Sequence, residues 1–244
     1  MLHEAGRFLL TDPVAKFLPE FRMTPVAVPH QPHQRGGEGY TLMPAERPIT
    51  IQHLLSHTAG LASGTSGPTM QLAAKLAADR KASDTLADYI ARLAELPLNF
   101  QPGTAWEYGP ATDVLGRLVE VVSGQSLDEF FRTRILNPLG MKDTHFYLPA
   151  AKMDRLASAY KQGTDSKLEK LQPSRHEDPN GKFYSGGGGL AGTAEDYLRF
   201  AQMLLNGGEL DGNRIVGRKT IDLLTANHIG HMPLWAASIR GHRF

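Results

Sequence analysis

The chain has 244 residues, of which 41% are hydrophobic and 21% charged, a composition typical of a globular domain with a sizeable buried core. Its 26 basic and 25 acidic side chains give a formal net charge of +1, which makes nucleic acid and anionic membranes poor partners. The lack of cysteine excludes disulfides, thiolate chemistry and cysteine-based zinc sites.

The N-terminal part of the chain is predicted to hold little regular structure. Residues 1–7 lack the charged-then-apolar pattern of a signal peptide, and no apolar run has the length of a membrane span, which favours a cytoplasmic protein. Residues 2–10 are typical of the end of a helix that turns at Gly6. Residues 23–47 are rich in Pro, Gly and His, so we predict a loop with one short strand near residues 40–42.

Apolar periodicity and capping residues predict helices along the rest of the chain. The predicted helices span residues 51–60, 70–80, 85–96, 111–122, 126–135, 197–205 and 218–225. Thr50 and Thr193 are candidate N-caps, Gly124 is a candidate helix stop, and Ser126 with Glu129 matches a capping box. Between the helices, residues 152–182 are polar and rich in turn residues, which indicates short strands joined by loops.

The most informative segment is residues 101–116, a tight turn that brings Trp106 and Tyr108 to the start of a buried helix. Taken alone, the two aromatic side chains are better explained as core residues beneath a loop. Other segments change that balance. They are residues 4–14 with 18–21, residues 49–61, and the glycine-rich residues 187–196.

Together these segments resemble the group of class C β-lactamases, penicillin-binding proteins and family VIII carboxylesterases, in the family's order and at roughly its spacing. The resemblance implies an α+β, β-lactamase/transpeptidase-like fold, in which an antiparallel sheet flanked by helices carries a mainly helical insertion. It implies that residues 1–244 form part of one such domain, incomplete at both termini. Residues 50–145 would be the mainly helical part, and residues 1–49 and 146–244 would belong to the α/β region.

The chemistry that the resemblance implies is acyl transfer through a serine ester. In this family a serine in a Ser-x-x-Lys turn attacks, and a tyrosine shares the general-base work and passes the proton to the leaving group. By match to the motif, Tyr108 is that tyrosine. A free phenol titrates near about 10, so the role needs a neighbouring cation, which in the family is the lysine. Pro110 stands where the motif has Asn, and its lack of a side-chain amide favours the esterase branch.

The same match places further residues around a small-molecule ester or amide substrate. The expected substrate-binding residues are Trp106, Pro110, His57, Gly187, Gly188 and Gly189. No metal and no cofactor are expected, and no partner other than the substrate is implied. A truncated sheet would expose unpaired strand edges, so we also expect self-association through those edges.

Two patterns allow other interpretations. His53 and His57 have the i, i+4 spacing of zinc ligands, but Leu54 stands where the glutamate should follow, and no third ligand is evident. Gly187, Gly189 and Gly192 match a dinucleotide-binding pattern without a preceding buried strand. We therefore expect the histidines to shape a helix end near the site entrance and the glycines to let the backbone run close to the site floor.

The nucleophile segment is not found where the family has it. The Ser-x-x-Lys turn should lie about four helical turns before the segment at residue 4, so the chain is expected to begin inside the nucleophile helix. Ser158 and Lys161 form a Ser-x-x-Lys string, but it follows Tyr108, where the family order forbids the nucleophile. The third motif, on a strand that supplies an oxyanion-hole donor, is expected beyond Asn227.

The expected function of the complete enzyme is hydrolysis of carboxylic esters with short acyl chains through an acyl-serine intermediate. β-Lactam hydrolysis and acyl transfer are the alternatives within the family. For this chain the alternative from another class is a catalytically inactive truncated product, or a binding remnant that keeps the cleft without its nucleophile.

Overall fold

The computed structural model describes residues 1–30, 39–163, 167–171, 175–178 and 180–232. Within these ranges the α-helices are α1 (Ile51–Leu55), α2 (Met70–Ala78), α3 (Leu86–Ala94), α4 (Ala111–Ser123), α5 (Leu127–Phe131), α6 (Ala194–Leu205) and α7 (Arg218–Leu224). The strands are β1 (Val26–Pro29), β2 (Tyr40–Met43), β3 (Tyr160–Gln162), β4 (Leu168–Lys170), β5 (Glu209–Leu210) and β6 (Asn213–Arg214). Short 3-10 turns lie at Val14–Lys16, Pro19–Phe21, Ala150–Arg155 and Arg175–Glu177, and α5 continues into a π-helical turn over Arg132–Leu136. Each predicted helix is therefore present, with shifted ends.

Local capping explains where the helices begin. The Thr50 hydroxyl accepts a hydrogen bond from the His53 N–H at 3.2 Å, and Thr193 caps α6 in the same way. Of the two hydrogen bonds in the capping box predicted at Ser126, only one is present. Ser126 accepts from the Glu129 N–H at 3.2 Å, but the Glu129 carboxylate pairs with Arg132 instead of reaching back to the cap.

The strands form three antiparallel two-stranded sheets within the described residues: β1–β2, β3–β4 and β5–β6. The strand predicted near residues 40–42 is confirmed as β2. Its partner β1 lies in the segment predicted to be a loop, so the loop prediction for residues 23–47 is wrong at Val26–Pro29. Val26 and Ala27 of β1 are buried, and the Ala27 N–H donates to the Leu98 carbonyl at 2.8 Å. A contact with a residue about 70 positions away leaves no signal in a local pattern.

The main core lies between α1, α3, α4 and α5. Leu54, Ile90, Leu118 and Leu127 are fully buried in it, one from each helix. Helix α4 presents an apolar stripe to this core, because Val114, Leu118 and Val122 are buried while Leu115 and Val119 are half-buried against the same cluster. A second, smaller core around Leu139 and Met203 joins α6 to the π-helical turn. These packed helices form the rigid base of the site described below.

Residues 1–7 have the hydrogen bonds of a helix C-terminus, as predicted. The Gly6 N–H donates to the His3 carbonyl at 2.9 Å, and the Arg7 N–H donates to the Leu2 carbonyl at 3.0 Å. Gly6 has a φ of +66°, the left-handed conformation that glycine adopts at helix ends. This pattern is a Schellman motif, in which the glycine closes the last helical turn.

An apolar groove of about 390 Å³ lies between residues 1–10, α1, α4 and α7. Its apolar lining residues include Leu2, Phe8, Leu10, Leu55, Leu115, Val119 and Leu223. Self-association through sheet edges stays a prediction. Among the described residues, no helix combines the length and the apolar character needed to cross a membrane.

Candidate active site

Two loops meet at the end of α1 and hold each other through backbone hydrogen bonds. The Tyr108 loop comprises residues 99–110, and the His57 loop comprises residues 56–61. The Asn99 N–H donates to the Gly60 carbonyl at 2.7 Å, and the Gly103 N–H donates to the Thr58 carbonyl at 2.7 Å. The Glu107 N–H donates to the His57 carbonyl at 3.0 Å. The two loops are therefore aligned along their length rather than touching at one point.

This alignment brings together three of the predicted site residues. The rings of His57 and Tyr108 stack with centroids 5.1 Å apart and an interplanar angle of 29°. The ring of Trp106 lies 6.2 Å from the His57 ring at 60°. Tyr108 keeps 53% of its surface exposed, so about half of the residue is accessible to a ligand while its ring stacks on His57.

His57 has an unusual conformation for its residue type. Its φ of +55° is left-handed, which explains why α1 ends at Leu55 and not at Gly60 as predicted. Its Nδ1 is buried without a hydrogen-bond partner among the described residues. Burial lowers the pKa of His57 below its usual value, because the charged form loses solvation.

A carboxylate that the sequence analysis missed fixes the Tyr108 loop. Glu107 accepts a hydrogen bond from the Ser66 hydroxyl and another from the Asn99 amide at 2.8 Å. The amide oxygen of Asn99 accepts in turn from the Thr69 hydroxyl at 2.6 Å. Because Glu107 lies between Trp106 and Tyr108, this network sets the direction in which both aromatic side chains leave the loop. An acidic residue between two aromatics in a tight turn was the one local signal for it.

We predict that Glu107→Ala lowers the free energy of unfolding by about 1 to 3 kcal/mol, because it leaves the buried Asn99 amide without its charged acceptor. Equilibrium urea denaturation measures this loss. Glu107→Gln retains one acceptor oxygen and should lose less. Glu95→Ala, at an exposed position at the end of α3, is the matched control and should change the free energy by no more than about 0.5 kcal/mol. Equal losses for Glu107→Ala and Glu95→Ala would show that the network does not support the fold.

Pro110 stands at the entrance to α4. It is the N-cap residue, and its carbonyl accepts from the Asp113 N–H at 3.0 Å and the Val114 N–H at 3.1 Å. Its ring therefore ends the Tyr108 loop and begins the helix, with no amide side chain to offer a ligand.

The glycine-rich segment lies against the first turn of α4. The Gly187 N–H donates to the Asp113 carboxylate at 3.2 Å, and the Ser185 hydroxyl donates to the same oxygen at 2.7 Å. A Cβ at Gly186 would overlap the Thr112 carbonyl oxygen, so only glycine permits this approach. Gly188 has a φ of +154° and open space beside it, whereas Gly189 packs on the Phe146 ring. The structure therefore places Gly187 against the first turn of the helix that the Tyr108 loop enters, but it gives no direct contact between the glycines and Tyr108.

The string at Ser158 lies in a different part of the molecule. Ser158 lines a separate cleft of about 760 Å³, and Lys161 belongs to β3, where it pairs with Glu169 at 3.1 Å. Ser158 lies in the irregular segment before β3 and not on a helix, so the spacing that brings serine and lysine together on one helical turn does not apply here.

The zinc interpretation of the two histidines gains no support from the described residues. The His53 Nδ1 accepts from the Thr50 N–H at 3.2 Å and is therefore engaged at the start of α1. Within the described part of the chain, no group of three or more His, Asp or Glu side chains has a metal-binding arrangement.

Comparison with known proteins adds three findings. A family model described as beta-lactamase matches residues 1–238. An uncharacterized protein of Mycobacterium tuberculosis is 35% identical over 232 residues, covering 93% of this chain and 55% of that protein. Esterase EstB of Burkholderia gladioli is 33% identical over 215 residues, covering 80% of this chain and 50% of EstB.

A solved structure is similar over nearly the same range. EstCE1, described as a hydrolase with promiscuous acyltransferase activity, aligns with a TM-score of 0.71 and 30% identity over 91% of this chain and 57% of EstCE1. The chain thus spans about half the length of the curated relatives it matches.

Proposed function

The chain belongs to the beta-lactamase family, and from that premise we propose that the protein hydrolyses simple carboxylic esters through an acyl-serine intermediate, with Tyr108 as general base. Its fold is the α+β, β-lactamase/transpeptidase-like fold, and its relatives include esterases and acyltransferases. The observation that carries the proposal is the half-exposed phenol of Tyr108, stacked on His57 at the entrance to α4.

The proposed reaction has two steps. The serine Oγ attacks the ester carbonyl carbon and loses its proton to the base, and the bond from that carbon to the alcohol oxygen breaks as the alcohol takes up the proton. Water then attacks the acyl-serine, releases the carboxylic acid and returns the proton to serine. Tyr108 is proposed to pass the proton to the leaving alcohol. The serine and its lysine partner are proposed to come from a Ser-x-x-Lys segment outside these 244 residues.

The remaining site residues are proposed to bind the substrate. Trp106 and His57 provide aromatic surface beside the phenol, and residues 187–189 provide backbone that a ligand can approach closely. Pro110 offers no amide for the acylamino group of a lactam, which supports a small ester over a β-lactam. The proposed domain arrangement keeps residues 50–145 as the mainly helical part and residues 1–49 and 146–244 as parts of the α/β region.

Acyl transfer is the second candidate function. EstCE1 is described as having promiscuous acyltransferase activity alongside hydrolysis. The open side of Tyr108 supports the same possibility here, because an alcohol could replace water as the group that attacks the acyl-serine. The remaining alternative is a catalytically inactive chain, and labelling of the serine distinguishes it from both ester hydrolysis and acyl transfer.

Labelling with a fluorophosphonate tests the proposal, because an activated serine displaces fluoride and becomes phosphonylated. The 244-residue chain and a chain extended upstream are incubated with the reagent, and intact mass and peptide mapping locate the adduct. We expect one adduct, only in the extended chain, on a serine three residues before a lysine. Heat-denatured samples are the control.

Two outcomes would overturn parts of the proposal. An adduct within residues 1–244 would show that the nucleophile lies in this chain. Ser158 is then the first candidate, and loss of the adduct in Ser158→Ala would identify it as the labelled serine. The absence of an adduct in both chains would contradict the serine-hydrolase proposal and favour the catalytically inactive remnant.

A further inference from the structure

The backbone of His57 is held in a conformation that its residue type rarely adopts. Left-handed φ values are uncommon outside glycine and cost free energy, so they persist where the surroundings fix them and often lie at functional sites. At His57 the carbonyl accepts the Glu107 N–H at 3.0 Å, and the imidazole ring stacks on Tyr108 and lies near Trp106. The left-handed turn directs the imidazole from the end of α1 towards the Tyr108 loop.

The two ring nitrogens of His57 have different surroundings. Nδ1 is buried without a partner among the described residues, whereas Nε2 is not among the buried unpartnered atoms and forms no hydrogen bond in the described part of the chain. Nε2 therefore keeps some contact with solvent. Buried N–H groups without an acceptor are rarer in proteins than buried acceptors without a donor. This difference favours a neutral ring with its proton on Nε2.

We propose that His57 is a positioning residue of the proposed esterase site: its neutral imidazole, protonated on Nε2, fixes the phenol ring of Tyr108 by stacking. The positioning role rests on the proposed function, but the stacking of the two rings and the tautomer of His57 can be measured without any enzymatic activity. The lowered pKa of His57 agrees with it, because a cation would require an N–H on the buried Nδ1. Glu107, the carboxylate of the Tyr108 loop, accepts from Ser66 and Asn99 and so does not serve as the acceptor for that N–H.

Two substitutions separate the ring from the backbone conformation. His57→Asn keeps a residue that tolerates left-handed φ but removes the ring. His57→Phe keeps an aromatic ring that can stack on Tyr108 but removes both nitrogens. Far-ultraviolet circular dichroism and urea denaturation confirm that each variant is folded.

Nuclear magnetic resonance of the 244-residue chain provides the test. Imidazole ¹⁵N shifts report the tautomer, and Tyr108 ring resonances are assigned by their loss in Tyr108→Phe. We expect His57 to be neutral at pH 7 with its proton on Nε2, and the Tyr108 ring resonances to shift as His57 titrates. In His57→Phe the Tyr108 resonances should remain displaced from those of a free tyrosine, and in His57→Asn they should move towards free-tyrosine values.

Three results would overturn the inference. They are a proton on Nδ1 at pH 7, Tyr108 resonances that do not respond to the titration of His57, and Tyr108 resonances that are unchanged in His57→Asn. Because none of these measurements needs the nucleophile, failure of the fluorophosphonate experiment leaves the result interpretable.

Discussion

Tyr108→Phe is expected to lower kcat/KM for ester hydrolysis by about 100-fold to 10,000-fold, the range that a positioned general base contributes. The substitution removes only the phenol oxygen. The ring that stacks on His57 at 5.1 Å is retained, so the loss should come from proton transfer and not from misfolding. The measurement uses whichever form of the protein is labelled by the fluorophosphonate.

The identity of the leaving group sharpens the test. A nitrophenyl ester releases a stable nitrophenolate anion that departs without protonation, whereas an alkyl ester releases an alkoxide that must take up a proton to leave as the alcohol. If Tyr108 passes the proton to the leaving group, Tyr108→Phe should impair alkyl ester hydrolysis more than nitrophenyl ester hydrolysis. An equal loss of kcat/KM on both esters would mean that Tyr108 activates the nucleophile but does not protonate the leaving group.

Tyr197→Phe is the matched control, because Tyr197 lies on α6 with 72% of its surface exposed. It should leave both rates unchanged. A loss of less than about threefold for Tyr108→Phe on both esters would contradict the general-base role, since removal of a working base costs far more.

The features that sequence could predict are those set by neighbouring residues. Thr50 and Thr193 mark helix starts because a cap acts within one turn, and Gly124 marks the end of α4 because it adopts the left-handed φ of +72°. The position of Tyr108 at the start of α4 was likewise predictable, because the loop and the helix are contiguous.

The features that sequence could not predict depend on contacts between distant residues. Strand β1 is stabilised by Leu98, and the Tyr108 loop is held by Ser66, which lies 41 residues before Glu107. Neither pairing has a local pattern. His57 is intermediate: its place near the end of a helix was predicted, but its left-handed backbone and its stack on Tyr108 required the fold.

These distant contacts explain how helix packing reaches the proposed chemistry. Helix α1 packs against α4; the His57 loop follows α1, and the Tyr108 loop precedes α4. A change in the packing beneath α1 therefore acts on both sides of the aromatic stack at once.

Leu54→Ala tests this dependence and is expected to lower the free energy of unfolding by about 2 to 5 kcal/mol, because it leaves a cavity at a fully buried position. Leu55→Ala is the matched control on the same helix. Leu55 keeps 51% of its surface exposed at the apolar groove, and leucine and alanine have similar helix propensity, so a loss of about 0.5 kcal/mol is expected. Equilibrium urea denaturation with an unchanged m value measures both losses.

Equal losses for the two variants would contradict the packing of α1. A large loss confined to Leu54→Ala, accompanied by Tyr108 ring resonances that move towards free-tyrosine values, would show that the buried face of α1 supports the stack between His57 and Tyr108.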